Sequence, residues 1–79
     1  MYTAQELLDA VALQKPLEIP VNSGAYYAIN RAMVEHANSG LLCLNASRYA
    51  YITKDLMEYY RDLGYRVDRD GIIYWMYHQ

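Results

Sequence analysis

Between Ile52 and Tyr77 the hydrophobic period of this chain changes once, from that of a helix to that of a strand. Ile52, Leu56, Tyr59, Tyr60 and Leu63 recur at helical spacing, and Tyr49 extends the stripe by one turn. A helix buries one face with such a stripe. Lys54, Asp55, Glu58, Arg61 and Asp62 take the opposite face. Lys54 and Glu58 form an i,i+4 pair worth about 0.2–0.5 kcal/mol. Gly64 follows the last periodic residue, where a left-handed residue usually stops a helix.

After Gly64 the period becomes two. Tyr65 and Val67 alternate with Arg66 and Asp68, and Asp70-Gly71 is a hairpin signal because a primed turn needs positive φ. Ile72 to Tyr77 reads as the return strand, rich in β-branched and aromatic residues. With Asp70 and Gly71 as a two-residue loop, Arg69 faces Ile72, Val67 faces Tyr74 and Tyr65 faces Met76. The other face then carries Arg66, Trp75, Asp68, Ile73 and Tyr77. A four-residue loop from Asp68 keeps this partition, and a three-residue loop reverses it. Both faces are apolar enough to need cover. One packs on helices, and the other takes a partner chain, the N-terminal segment or a ligand. Arg66 opposite Trp75 would make a cation–π pair and a stacking platform.

Upstream, Thr3-Ala4-Gln5-Glu6 fits a capping box. Leu7, Leu8 and Val11 give a short stripe that should end near Leu13, ahead of Lys15-Pro16. Leu17, Ile19 and Val21 alternate with Glu18 and Pro20, and Pro20 confines this stretch to a sheet edge or a covering arm. Asn22 or Ser23 can cap a second helix from about Ala25 to Asn38, on the period of Tyr26, Ile29, Ala32 or Met33, and His36. His36 sits near its C-terminus, where positive charge is favoured. Leu41–Leu44 is an apolar run that reads as a buried strand, with Cys43 inert inside it. The third helix begins after Ser47 or only after Thr53, since both are legitimate caps. Asn45 and Ser47 stand where a strand meets a helix N-terminus, a natural anion site, and Arg48 is beside them.

Seventy-nine residues with 54% apolar content make one domain, 1–79, of marginal stability. The element order is helix, arm, helix, strand, helix, hairpin. It predicts an α+β class, with three helices packed on a small antiparallel sheet that ends in a C-terminal β-hairpin. Ten tyrosines and no phenylalanine suggest half-buried rings whose hydroxyls reach water or a ligand. A net charge of −2 without a basic run argues against duplex nucleic acid. The single cysteine excludes an internal disulfide and a cysteine-based metal cluster. No apolar run approaches a membrane span and no leader is seen, so residence in the cytoplasm is expected.

Known catalytic signatures are missing: there is no Gly-rich phosphate loop, no GxSxG and no HExxH. Asp68-Arg69-Asp70-Gly71 starts like a calcium loop but lacks the later carboxylates. His36 and His78 have no metal-pair spacing. The expectation is a protein without enzymatic activity, metal or cofactor.

The segments AYYAINRAMVEHANSG, LGYRV and DGIIYWMY together resemble small proteins encoded by tailed bacteriophages, over roughly Ala25 to Tyr77. Some small phage proteins sequester the nucleotide second messengers of bacterial immunity. The resemblance implies such a sponge: a homo-oligomer that binds a small nucleotide ligand, cyclic oligonucleotide or cyclic ADP-ribose in type, in the host cytoplasm. Arg66 and Arg48 would meet phosphate, Trp75, Tyr49 and Tyr51 would stack on bases, and Asn45 and Ser47 would offer a capped terminus to anion or ribose. The rival reading is a protein-interaction module, a virion component or an inhibitor of a host protein, with Trp75 as its anchor.

Overall fold

The computed structural model describes residues 1–21 and 24–76. The expected capping role of Asn22 or Ser23, the place of Tyr77 on the hairpin and His78 lie outside the described residues. Thr3 opens α1 (Ala4–Leu13) through the expected capping box. Its Oγ1 accepts from Glu6 N at 3.2 Å, while Glu6 Oε1 accepts from Thr3 N at 3.0 Å. Gln14 stops the helix in the left-handed region, at φ 53°, and Lys15 N donates to Ala10 O at 3.0 Å. The following arm, residues 15–21, forms no helix and does not join the sheet. Asn38 secures it, accepting from Leu17 N at 2.8 Å and donating to Leu17 O at 2.9 Å. The Tyr2 hydroxyl adds a bond to Glu18 O at 3.1 Å.

Helix α2 (Tyr27–Asn38) starts two residues later than its apolar period suggests and has no side-chain cap. It buries Ile29, Ala32, Met33, Val34 and Ala37. Strand β1 (Cys43–Asn45) leads into one 3-10 turn, Ala46–Arg48, before α3 (Lys54–Asp62). Of the two alternative starts the helix takes the later one, after Thr53, while Ser47 lies inside the 3-10 turn. Asn45 caps the 3-10 turn, and Thr53 caps α3 by accepting from Leu56 N at 3.1 Å. Strands β2 (Arg66–Val67) and β3 (Ile72–Tyr74) complete an antiparallel sheet of order β1-β3-β2. The Leu41–Leu44 run therefore joins the hairpin sheet, but as an edge whose residues alternate exposed, buried, exposed. Cys43 is exposed, not buried, because it points to the uncovered side.

The hairpin register differs from the expected one. Arg66 pairs with Tyr74 and Val67 with Ile73, so the loop is Arg69–Gly71, three residues long. The cause is Asp68. Its Oδ1 accepts from Asp70 N and Ile72 N, both at 3.0 Å, and its own N–H donates to Ile72 O at 3.1 Å. Gly71, at φ 82°, then closes the loop in the left-handed region, the usual form of a three-residue hairpin. A change of one loop residue exchanges the faces. Tyr65, Val67, Ile73 and Trp75 all turn inward with Leu44, and Arg66 and Tyr74 turn outward. Only one hairpin face is strongly apolar, and it is the face the helices cover.

A row of rings runs from the half-buried Tyr26 and the exposed Tyr59 into that core. Tyr26 lies 5.1 Å from Tyr59, Tyr59 4.9 Å from Tyr60, Tyr60 5.9 Å from Tyr65, and Tyr65 6.4 Å from Trp75. The last three contacts are edge-to-face, a favoured geometry. Each buried ring has an internal acceptor. Tyr60 donates to Asn30 Oδ1 at 2.5 Å, Tyr65 to Tyr2 O at 2.7 Å, and Trp75 Nε1 to Leu41 O at 3.0 Å. Tyrosine serves here where phenylalanine would leave Asn30 and the Tyr2 carbonyl without a donor. Part of the tyrosine surplus is thus core rather than interface.

Candidate functional site

Trp75 is no stacking platform. It is fully buried, and its indole N–H is committed to Leu41 O. The cation–π pair of Arg66 forms with Tyr74, with Cζ 5.6 Å from the ring centroid. The Tyr74 hydroxyl donates to Asp68 Oδ2 at 3.2 Å. Partial burial first, and this bond second, hold the Tyr74 phenol above its usual pKa.

Asn45 and Ser47 face each other. Asn45 Oδ1 accepts from Ser47 Oγ at 2.5 Å and from Ser47 N at 3.2 Å, so their first role is to cap the 3-10 turn. Arg48, Tyr49 and Tyr51 follow and are exposed, Tyr51 almost completely. Strand β3 lies between this group and Arg66 on β2. The seven residues singled out in the sequence therefore divide among the core, one sheet face and the turn after β1.

A different set converges on the outer side of α2. Tyr27, Arg31, Glu35, His36 and Tyr49 line a hollow of about 360 Å3 together with Ala28 and Ala32. Volumes of this size are at the small end for ligand sites, about 300–1,000 Å3. Helical spacing brings Tyr27, Arg31 and Glu35 onto one ridge. Arg31 Nε donates to Glu35 Oε1 at 2.9 Å, and that bond, with the charge of Glu35, raises the guanidinium pKa further. His36 Nδ1 lies 2.8 Å from Ala32 O. A carbonyl can only accept, so Nδ1 carries the proton and Nε2 is the acceptor of the neutral ring. Ala28 and Ala32 have small side chains, which leave room beside the helix for a flat group. The walls offer two phenol rings, one imidazole nitrogen and one guanidinium that is paired with the Glu35 carboxylate.

A larger hollow, about 470 Å3, lies between α1 and the end of α2 beside Ala10, Val11, Pro16 and Asn38. It has neither an aromatic ring nor a charged side chain in its wall, and its Asn38 is committed to Leu17. Among the described residues no three His, Cys, Asp or Glu side chains are grouped as a metal site would require. None of the described helices is long and apolar enough to cross a membrane.

A scan of protein-family models gives no match, and searches of curated proteins and of solved structures give none either. Of the hollow's polar and aromatic wall, the sequence pointed only to Tyr49 as a ligand residue. Tyr27 and Arg31 stand four residues apart in the sequence, but nothing local in it brings Tyr49 to them.

Proposed function

We propose that this chain is a non-catalytic, phage-encoded binding protein that captures a nucleotide-derived ligand in the hollow beside α2, in the host cytoplasm. The observation that supports this reading is the meeting of Tyr27 and Tyr49 with Arg31 and His36 in one hollow beside Ala28 and Ala32. Phenol rings stack on a base, a guanidinium meets phosphate, and His36 Nε2 accepts from a ribose or base donor. Sequestration needs affinity and no chemistry, and no pair in this hollow is arranged as a nucleophile with its base.

A thermal-shift screen against mononucleotides, ADP-ribose derivatives and cyclic di- and trinucleotides tests the reading. The protein should gain about 2.7 kcal/mol at a hundredfold excess over the dissociation constant, and the ligand should be recovered unchanged. Tyr49→Ala and Arg31→Ala should each remove the shift. Both side chains are exposed, so the unliganded stability should move by no more than about 0.5 kcal/mol. A flat screen sinks the proposal.

One feature favours a protein-interaction module instead. The uncovered sheet face presents Arg66 and Tyr74 together, a pairing of residue types enriched at interfaces. On that reading Arg66→Glu abolishes capture of one host or virion protein, and Tyr49→Ala does not.

A further inference from the structure

The two edges of the sheet are not alike. At β2, antiparallel alternation turns the backbone groups of Val67 outward. There the Arg61 guanidinium donates to Val67 O at 3.0 Å and covers the edge. At β1 the register is set by Trp75 N donating to Leu42 O at 3.1 Å and Ala46 N donating to Gly71 O at 2.8 Å. Leu44 is paired with Ile73 between them. The same alternation turns the N–H and C=O of both Cys43 and Asn45 away from β3, and both residues are exposed. Leu44 is midway between them.

We propose that β1 is a homodimer edge, pairing antiparallel with β1 of a second copy about a two-fold axis at Leu44. In that register Cys43 faces Asn45 of the partner subunit, and Asn45 faces the partner's Cys43. All four outward groups of each copy are then satisfied. The edge is self-complementary because its two outward residues are placed symmetrically about Leu44, which a two-fold interface requires. The apolar surface agrees. Leu41, one of the six large apolar side chains left exposed among the described residues, stands two residues ahead of this strand. β1 is only three residues long, so pairing ends with the dimer and does not template further strands. The inference is independent of the ligand proposal.

Sedimentation equilibrium of the full chain tests it with three variants. Asn45 has φ −82°, close to the value of about −65 ± 15° that a proline ring imposes. Asn45→Pro therefore fits the backbone while removing one outward N–H per copy. It also removes the cap of the 3-10 turn, which Asn45→Ala removes without touching the N–H. The wild type and Asn45→Ala should dimerise, and Asn45→Pro should associate at least tenfold more weakly while keeping its circular dichroism. Asn45→Cys puts a second thiol opposite the partner's Cys43, at a Cα spacing of about 5.5 Å that a disulfide can bridge. Oxidation should trap a covalent dimer, and Cys43→Ser in that background should abolish it. A wild type that sediments as a monomer overturns the proposal, as does an Asn45→Pro variant that dimerises unchanged. Recruitment of a foreign strand by a monomeric wild type would overturn it too.

Discussion

At the scale of single residues, space and backbone conformation separate two glycines that look alike in the sequence. Gly71 and Gly40 both sit at positive φ, 82° and 84°. A Cβ on Gly71 would lie 2.5 Å from Ile52 Cγ1 and 3.3 Å from Ser47 Cβ, whereas one on Gly40 meets nothing within 4 Å. Gly40→Ala should therefore cost only the left-handed penalty, about 1–2 kcal/mol. Gly71→Ala should add overpacking against Ile52 and Ser47, for a total of about 2–5 kcal/mol. Urea midpoints of the two variants measure the difference, and equal losses would show that Ile52 moves aside freely. Gln14 gives the converse case. It is a non-glycine residue in the left-handed region, so Gln14→Gly should raise stability by about 1 kcal/mol. A lowered midpoint would show that its side chain contributes more than its backbone costs.

At the scale of elements, the chain shows which signals are local and which are not. Helix α1 was legible at both ends because Thr3, Glu6 and Pro16 act on their own neighbours. The stripe through Tyr49, Ile52, Leu56 and Leu63 was read as one surface, yet α3 begins at Lys54. Thr53 takes the cap there, leaving Tyr49 exposed beside α2. The hairpin was legible as a hairpin but not in register. Asp70-Gly71 reads as a two-residue loop until the Asp68 carboxylate is seen to hold Asp70 N and Ile72 N at once. That one residue of loop length decides whether Trp75 is a platform or a core residue. Asp68→Ala deletes these two bonds and the one from Tyr74, so it should destabilise by about 1–3 kcal/mol. Asp68→Asn keeps an acceptor for the two amides and should lose less. If the alanine variant is as stable as the wild type, the carboxylate does not set the loop.

At the scale of the whole molecule, the row of rings ties the helices to the sheet, and it ties stability to alkaline pH. Tyr60 lies on α3, Tyr65 precedes β2, and Trp75 follows β3. The phenol hydroxyls donate to Asn30 on α2 and to Tyr2 ahead of α1. These contacts depend on chain distant in sequence, which is why composition suggested an interface where the molecule has a core. Burial, and after it the neighbouring phenols, push the pKa values of Tyr60 and Tyr65 far above the usual phenol value. The sign follows from proton counting. Below about pH 10 both the folded and the unfolded chain keep these protons, and stability does not depend on them. Above it the unfolded chain releases them while the folded chain retains them, so stability falls as pH rises towards the folded values. Each phenol contributes a slope of about 1.4 kcal/mol per pH unit, together about 2.7. Urea midpoints between about pH 8 and about pH 11 should show this loss, with tyrosinate absorbance of the two rings appearing only on unfolding. Tyr65→Phe should cost about 1–3 kcal/mol at neutral pH, through the unmatched Tyr2 carbonyl, and should lower the alkaline slope by about 1.4 kcal/mol per pH unit. A folded protein that ionises all its tyrosines without losing its near-ultraviolet dichroism would mean that the row of rings is open to water and not the centre of the core.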